Sequence, residues 1–369
     1  MPSSSIAKRP NGKWRARYRD DAGKEHARHF GRQVDAKRWL DEVTAARLTG
    51  QYVDPRAGEI TFREYAETWR KIQTHKPSTA EIVERHLRLH VYPVIGSLPL
   101  RAIMPSHLQA MVSGWSVTPA TGQVIWRFVG TIFKSAVRDR KIAVSPCVGV
   151  KPRPVPARQI EVISTELVLA ITDAMPERYR AMVTLSAGTG MRQGEVFGLT
   201  RDRIRLEQKE VRVDQQIRRL AGEKPILAPT KTESSDRTIP LPKVVSSALA
   251  AHLLQFPSDH PDGLVFTNVA GGALYRSGFN QVWQRAVRKA GGDRVGFHAL
   301  RHFYASLLIS HGESVTVVQD RLGHKSAEET LRTYSHLWPD SGERTRAAVD
   351  DVLGSRADSL RTADSIEGL

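Results

Sequence analysis

A chain of 369 residues, 40% hydrophobic and 25% charged, carries enough apolar side chain to fold and is too long for one ordinary core, so two or three domains are expected. Fifty-five Lys and Arg against 39 Asp and Glu leave a formal charge of +16, which points to a polyanion such as nucleic acid. No apolar run reaches the length of a membrane span and MPSSSIAKRPNGKW lacks the apolar core of a secretion signal, so a cytoplasmic, nucleoid-associated protein is expected; the single Cys147 excludes an internal disulfide or a cysteine-based zinc site and is expected to pack.

Residues 1–56 form the first block. GKWRARYRD and KEHARHF alternate as short strands around the turn DDAGK, and a helical stretch runs from Val34 to Leu48. Trp14, Ala16 and Tyr18 would share one strand face, leaving Lys13, Arg15, Arg17 and Arg19 on the other. Between Lys8 and Arg38 stand 11 Lys and Arg against 4 Asp and Glu, so a small sheet backed by a helix would offer DNA a basic face. Solvated surface charge is the competing explanation for any one of these residues.

GQYVDPRAGEIT joins this block to residues 60–146, where TFREYAETWRKI, TAEIVERHLRLHVYPVI, SHLQAMVSGW and TGQVIWRFVGTIFKSAVRDRKI carry apolar residues at helical spacing. Arg85, Arg88, Arg127, Lys134, Arg138 and Arg140 punctuate the polar faces, giving a small bundle with basic sides. Residues 147–160 form a basic, proline-rich linker, expected to be flexible. Residues 161–338 alternate helices with strand-like runs at KEVRVDQQIRR, KPILAP and SDRTIPLP. The tail 339–369 holds seven Asp and Glu against four Arg; Val349 to Leu353 is expected to dock and the end to be loose.

Four local signals stand out in the third block. SAGTGMRQGEVFGL puts Arg192 at a helix start after a glycine-rich turn, and PTKTESSDRTIPLP puts Lys231 at a hairpin tip. HALRHFYASLLISHG sets His298 and Arg301 on one helix face, and LGHKSAEETLRTYSHL contains His324 and Tyr334. Each is weak alone, and Tyr334 at helical spacing from Leu331 and Leu337 reads first as packing. Together they hold the side chains a phosphodiester reaction can use. Arginine forks clamp non-bridging oxygens, a lysine protonates a leaving alkoxide, histidines accept or relay a proton, and a phenol is a nucleophile. Such a scheme requires no metal or other cofactor.

The ordered set Arg192, Lys231, His298, Arg301, His324 and Tyr334 resembles the catalytic signature of the tyrosine recombinases, the bacteriophage integrase family, and Glu195 fits the acidic position supporting the first arginine. The resemblance spans the chain. It implies a multidomain α+β protein: a small N-terminal three-stranded sheet plus helix that binds arm-type DNA sites, a helical core-binding bundle, and a mixed α/β catalytic domain. By that similarity Tyr334 would attack the phosphate to form a 3′-phosphotyrosyl link and Lys231 would protonate the 5′ oxygen. Arg192 and Arg301 would stabilise the phosphorane, His298 would assist proton transfer from the tyrosine, and His324 would hydrogen-bond the phosphate. Arg15, Arg17, Arg19, Arg85, Arg127 and Lys134 are the expected DNA contacts. Double-stranded attachment sites, a tetramer on DNA, a host DNA-bending factor and an excisionase are the implied partners.

His302 and Tyr304 read as packing or capping, Leu331 and Leu337 as packing, and Tyr275 as a residue with no constellation around it. Competing readings are a type IB topoisomerase, a chromosome-dimer recombinase, a DNA-binding regulator with an inactive recombinase fold, and a metal enzyme using His298, His302 and His324.

Overall fold

The structure, a computed structural model, describes residues 4–19, 23–48, 53–54, 56–156, 160–230 and 232–338, and a few positions between 346 and 353. The chain divides into two compact units, residues 1–156 and 157–369.

The first unit begins with an antiparallel sheet of β1 (Ser5–Lys8), β2 (Trp14–Arg19) and β3 (Glu25–Phe30), backed by α1 (Gln33–Leu48). Strand alternation sends Ala16 and Tyr18 into a small core with Ala36 and Leu40 of α1, while Arg17 and Arg19 stay exposed. A one-residue slip would bury the arginines instead, so the apolar face sets the register.

A capping box at Thr61 and Glu64 starts α2 (Phe62–Ile72), followed by α3 (Pro77–His86), α4 (Tyr92–Ile95), α5 (Pro105–Gly114) and α6 (Pro119–Arg138). The run TAEIVERHLRLHVYPVI is not one regular helix, because Leu87–Val91 forms a π-helical turn before α4 restarts. Pro93 has no N–H to return to the preceding turn, and the wider turn absorbs the mismatch. Phe62, Tyr65 and Trp69 of α2 pack with Ile125, Val129, Ile132 and Phe133 of α6 in the core. The linker is partly built into this unit. Cys147 and Val150 pack on the helical core, Lys151 N donates to Gln109 Oε1 at 3.1 Å, and Gln123 Nε2 donates to Arg153 O at 3.0 Å. An extended proline-rich chain has free backbone groups, and two glutamines satisfy them.

The second unit opens with α7 (Thr165–Ala174), α8 (Glu177–Thr189) and α9 (Gln193–Phe197). Strands β4 (Ile204–Arg205), β5 (Glu210–Val213), β6 (Gln215–Arg218), β7 (Ile226–Pro229) and β8 (Arg237–Pro240) follow. The order β4-β5-β8 makes one antiparallel sheet, and β6-β7 a separate ribbon. Then come α10 (Lys243–Gln255), α11 (Arg276–Lys289), α12 (Ala299–Ser310), α13 (Val315–Leu322) and α14 (Ala327–Tyr334).

After a charged first turn helix α8 is buried along most of its length in the core, with Met182, Val183 and Leu185 buried. Phe279 anchors an aromatic cluster, its ring 5.3 Å from Phe197 and 5.4 Å from Tyr179, and each such side chain contributes roughly 1.5–3 kcal/mol by leaving water. A smaller, separate cluster joins Tyr304, Ala305, Ile309, Val318, Leu322 and Tyr334, with Leu337 and Trp338 packed against it. Leu331 is not in it. The residue is 43% exposed, since only one stripe of the two-turn helix α14 faces inward. Val349 and Leu353, in the stretch expected to dock, are exposed as well, and most of the tail lies outside the described residues. Among the described residues, no helix is long and apolar enough to cross a membrane.

Candidate active site

Helix α8 ends at Gly190 in the left-handed conformation (φ 65°), and the reversal brings Arg192 to the start of α9. Glu195, one turn on, accepts from the Arg192 backbone N–H at 2.8 Å and from Arg192 Nη1 at 2.9 Å. Helix α13 ends the same way at Gly323 (φ 62°), which turns the chain into His324. A Cβ at Gly323 would stand 2.9 Å from Ser234 O and 3.1 Å from Arg237 Nη1, so the position is closed to a side chain by space as well as by φ.

The two signature arginines meet at that turn. Arg301 Nη2 donates to Leu322 O at 2.5 Å and Arg192 Nη2 donates to Gly323 O at 2.9 Å, so distant segments converge on consecutive carbonyls. Arg301 Nη1 also donates to Gly190 O at 2.8 Å, tying α12 to both glycine turns. Arg301 is 1% exposed. Burial first, then Arg192 and Arg237, pushes its guanidinium down to about 9, so it remains charged at neutral pH.

A third arginine, in the run SDRTIPLP and not singled out in the sequence reading, completes the network. Arg237 Nη2 donates to Glu195 Oε2 at 2.9 Å, Nη1 to Ser235 O at 2.9 Å and Nε to Arg321 O at 2.9 Å, linking β8 to α9 and α13. Burial alone would push the Glu195 carboxyl up, but Arg237 and Arg192 hold it below its ordinary value. A strand arginine at this spacing looks like any solvated one until tertiary contacts bury it.

Tyr334 ends α14 and is 1% exposed. Its hydroxyl lies 2.7 Å from Nδ1 of His302, a residue expected only to pack or cap. One helical turn separates His302 from His298, and the two rings meet edge to face at 4.7 Å. The His324 ring lies parallel to the phenol at 6.3 Å between centroids, and its Nδ1 and Thr330 Oγ1 share a 2.8 Å hydrogen bond. Burial raises the tyrosine to about 12 against the pull of Arg301 and Arg192. Burial first, then Arg301, lowers His324 to about 4, and the same two causes lower His302. His298 is also lowered, by lost hydration and by His302, Arg301 and Arg192. The three imidazoles are neutral at pH 7. Among the described residues, no group of three or more His, Cys, Asp and Glu side chains stands ready to hold a metal ion.

His298 and Arg192 line a cavity of about 580 Å3 with Arg219, Tyr275, Arg276 and Asn280. The Arg219 guanidinium lies over the Tyr275 ring at 4.2 Å, so Tyr275 does have a constellation around it. The strands flanking Lys231 do not form a hairpin with each other: β7 pairs with β6 and β8 with β5, so the segment crosses between sheets. Lys231 itself lies outside the described residues.

In the first unit, Arg15, Arg17 and Arg19 all turn onto Glu25, at 2.9, 3.4 and 3.7 Å, which offsets part of the basic face. Arg85, Arg127 and Lys134 are exposed, and among the described residues none of these three is in an ion pair. Arg127, Lys134 and Arg138 share one stripe of α6 by their spacing of seven and four.

An N-terminal sheet and helix, a helical block and a mixed α/β domain, in that order, are the architecture of a tyrosine recombinase. The chain belongs to the phage integrase family: the phage integrase profile matches residues 161–340, its N-terminal domain 4–50 and its central domain 62–152. The XerC-like tyrosine recombinase of Caldanaerobacter subterraneus is 26% identical over 91% of this chain and 94% of its own, and the integrase of Mycobacterium phage D29 is 24% identical over 90% and 89%. The Tn1549 transposon integrase in complex with a circular intermediate DNA shares the fold at a TM-score of 0.69, 20% identity and 79% coverage of this chain, 99% of that one. A lambda integrase tetramer bound to a Holliday junction shares it at 0.59, with 18% identity and 88% and 96% coverage.

Proposed function

We propose that this tyrosine recombinase integrates or excises a phage or mobile element by strand exchange at Tyr334, with Arg192 and Arg301 as the phosphate clamp. The observation that carries the reading is the contrast between two buried arginines. Arg237 gives its donors to Glu195 and two carbonyls and is neutralised by the carboxylate. Arg301, buried more deeply still, gives two donors to carbonyls and, among the described residues, pairs with no carboxylate. A guanidinium has five N–H donors and a fixed charge, so Arg301 is a buried cation with donors to spare, which an anion would satisfy. A phosphodiester at that point also meets Arg192 and lies near Tyr334.

In this reading the Tyr334 oxygen forms a bond to phosphorus, the bond from phosphorus to the 5′ oxygen breaks, and Lys231 supplies the leaving oxygen with a proton. A 5′-hydroxyl from the partner strand then attacks the phosphotyrosine and restores the phenol, so bond energy is conserved without ATP. Glu195 holds Arg192 in place. The cavity that Arg192, Arg219, Arg276 and His298 line supports passage of the neighbouring DNA strand. Double-stranded attachment sites, contacted through Arg15, Arg17, Arg19, Arg85, Arg127 and Lys134, are the substrates. A DNA-bound tetramer is the working form, acting in the nucleoid of the cytoplasm, with a host DNA-bending factor and an excisionase as accessory partners.

Incubation with a nicked suicide substrate tests this. Wild type is expected to give a covalent protein–DNA adduct in EDTA, and Tyr334→Phe to give none while binding DNA normally. An adduct with the phenylalanine variant would overturn the nucleophile. Exchange between two defined sites, rather than relaxation of any supercoiled plasmid, separates recombination from topoisomerase activity.

A further inference from the structure

We infer that His302, rather than His298, takes the phenolic proton of Tyr334 when the tyrosine attacks, and that His298 positions it. This rests on the reading of Tyr334 as nucleophile and adds the base. Among the described residues, His302 Nδ1 is the polar side-chain atom in hydrogen-bond contact with the Tyr334 oxygen, at 2.7 Å. A general base must reach the proton it removes, and 2.7 Å is within that reach. The His324 ring is parallel to the phenol at 6.3 Å between centroids and its Nδ1 is engaged with Thr330, so it is poorly directed for the task. His298 touches His302 instead, edge to face at 4.7 Å, and faces the cavity on its other side.

The electrostatics agree. Burial and Arg301 hold His302 below its ordinary value, so at neutral pH its imidazole has a lone pair to offer. The phenol is protonated at the same pH, so its O–H donates to Nδ1 and the ring hydrogen is assigned to Nε2. The charged and titratable groups around the pair are Arg301 on α12 and His298 at its cap, Arg192 at the start of α9, Glu329 on α14 and His324 in the turn before it.

In the step itself, the Tyr334 O–H bond breaks and its proton goes to Nδ1. The oxygen bonds to phosphorus, and the 5′ oxygen leaves with a proton from a different acid. The imidazolium formed would be unfavourable beside Arg301 alone, but the phosphorane carries more negative charge than the ground state and offsets it. When a 5′-hydroxyl attacks the phosphotyrosine, His302 returns the proton.

Adduct formation on the suicide substrate, followed against pH for wild type, His302→Asn and His302→Gln, tests the assignment. Asparagine keeps a polar atom near Nδ1 but cannot take up a proton. We expect DNA affinity unchanged, adduct formation slowed by about 100-fold or more, and the acid limb of the wild-type profile replaced by a rate that climbs with hydroxide. With sulfur in place of the scissile 5′ oxygen the leaving group needs no acid, and the His302→Asn defect should persist. A variant within threefold of wild type with the same acid limb, or one restored by the sulfur substrate, would overturn the proposal. If neither variant folds, His298→Asn decides: an acid limb that persists in it supports the assignment to His302, and one replaced by a rate that climbs with hydroxide overturns it. Failure of wild type to form an adduct, or success of Tyr334→Phe, would instead sink the reading of Tyr334.

Discussion

His324 illustrates how the site depends on the protonation of single residues. Its folded value of about 4 lies below the ordinary 6.5, so the folded state refuses a proton that the unfolded chain accepts. The sign follows: the contribution of this residue is fully present above about pH 6.5 and is lost as pH falls toward 4. By pH 5 the loss is about 2 kcal/mol. Calorimetric melting of wild type and His324→Gln between pH 7.5 and 5 checks this, with the variant expected to show the shallower fall in Tm and an equal slope counting against it.

At this same scale the sequence is informative where chemistry repeats in short motifs. Arg192, Arg301, His324 and Tyr334 come together at one turn, as TGMRQGE, HALRH and LGH suggest. His302 stands in HALRH beside Arg301, and its spacing of four from His298 was the available signal. That signal could not reveal which face of α12 would receive α14. Arg237 and Tyr275 had none, since burial of a strand arginine and closure of a cavity are properties of tertiary contact.

Among elements, the two glycine turns do the positioning. Gly190 and Gly323 supply the carbonyl neighbourhoods that Arg301 and Arg192 hold, and each adopts a positive φ that a side chain disfavours. Gly323→Ala should destabilise the catalytic domain by roughly 1–3 kcal/mol and slow adduct formation more than it weakens DNA binding, because Ser234 O and the Arg237 guanidinium must retreat. A melting curve and a suicide-substrate assay measure the two effects, and a variant that melts like wild type would contradict the close approach. Helices and strands were legible from periodicity, as β2 and α6 illustrate. The π turn at Leu87–Val91 and the docking of residues 147–153 were not, because both depend on which backbone groups find partners across the unit.

For the whole molecule, the net charge of +16 is not spread evenly in its effect. The sheet arginines share Glu25, whereas Arg127 and Lys134 stand exposed on α6. Arg127→Gln and Lys134→Gln should each lower the slope of log affinity against log salt by about one unit on core-site DNA. Fluorescence anisotropy across a salt series reads this, and unchanged slopes would remove α6 from the DNA face.

The small cluster around Tyr334 has a consequence for the cell that harbours the enzyme. An enzyme able to nick DNA is a hazard to its host chromosome whenever its nucleophile is loose. Here the proposed nucleophile, Tyr334, is one of a satellite of six buried residues, apart from the main catalytic core, and is 1% exposed. Small clusters give way at lower free energy than large ones, so access of DNA to the tyrosine, still paired with His302, is governed by local rather than global opening. The packing of Ile309 and Val318, buried apolar residues with no part in the proposed chemistry, thereby bears on how readily the chromosome is cut.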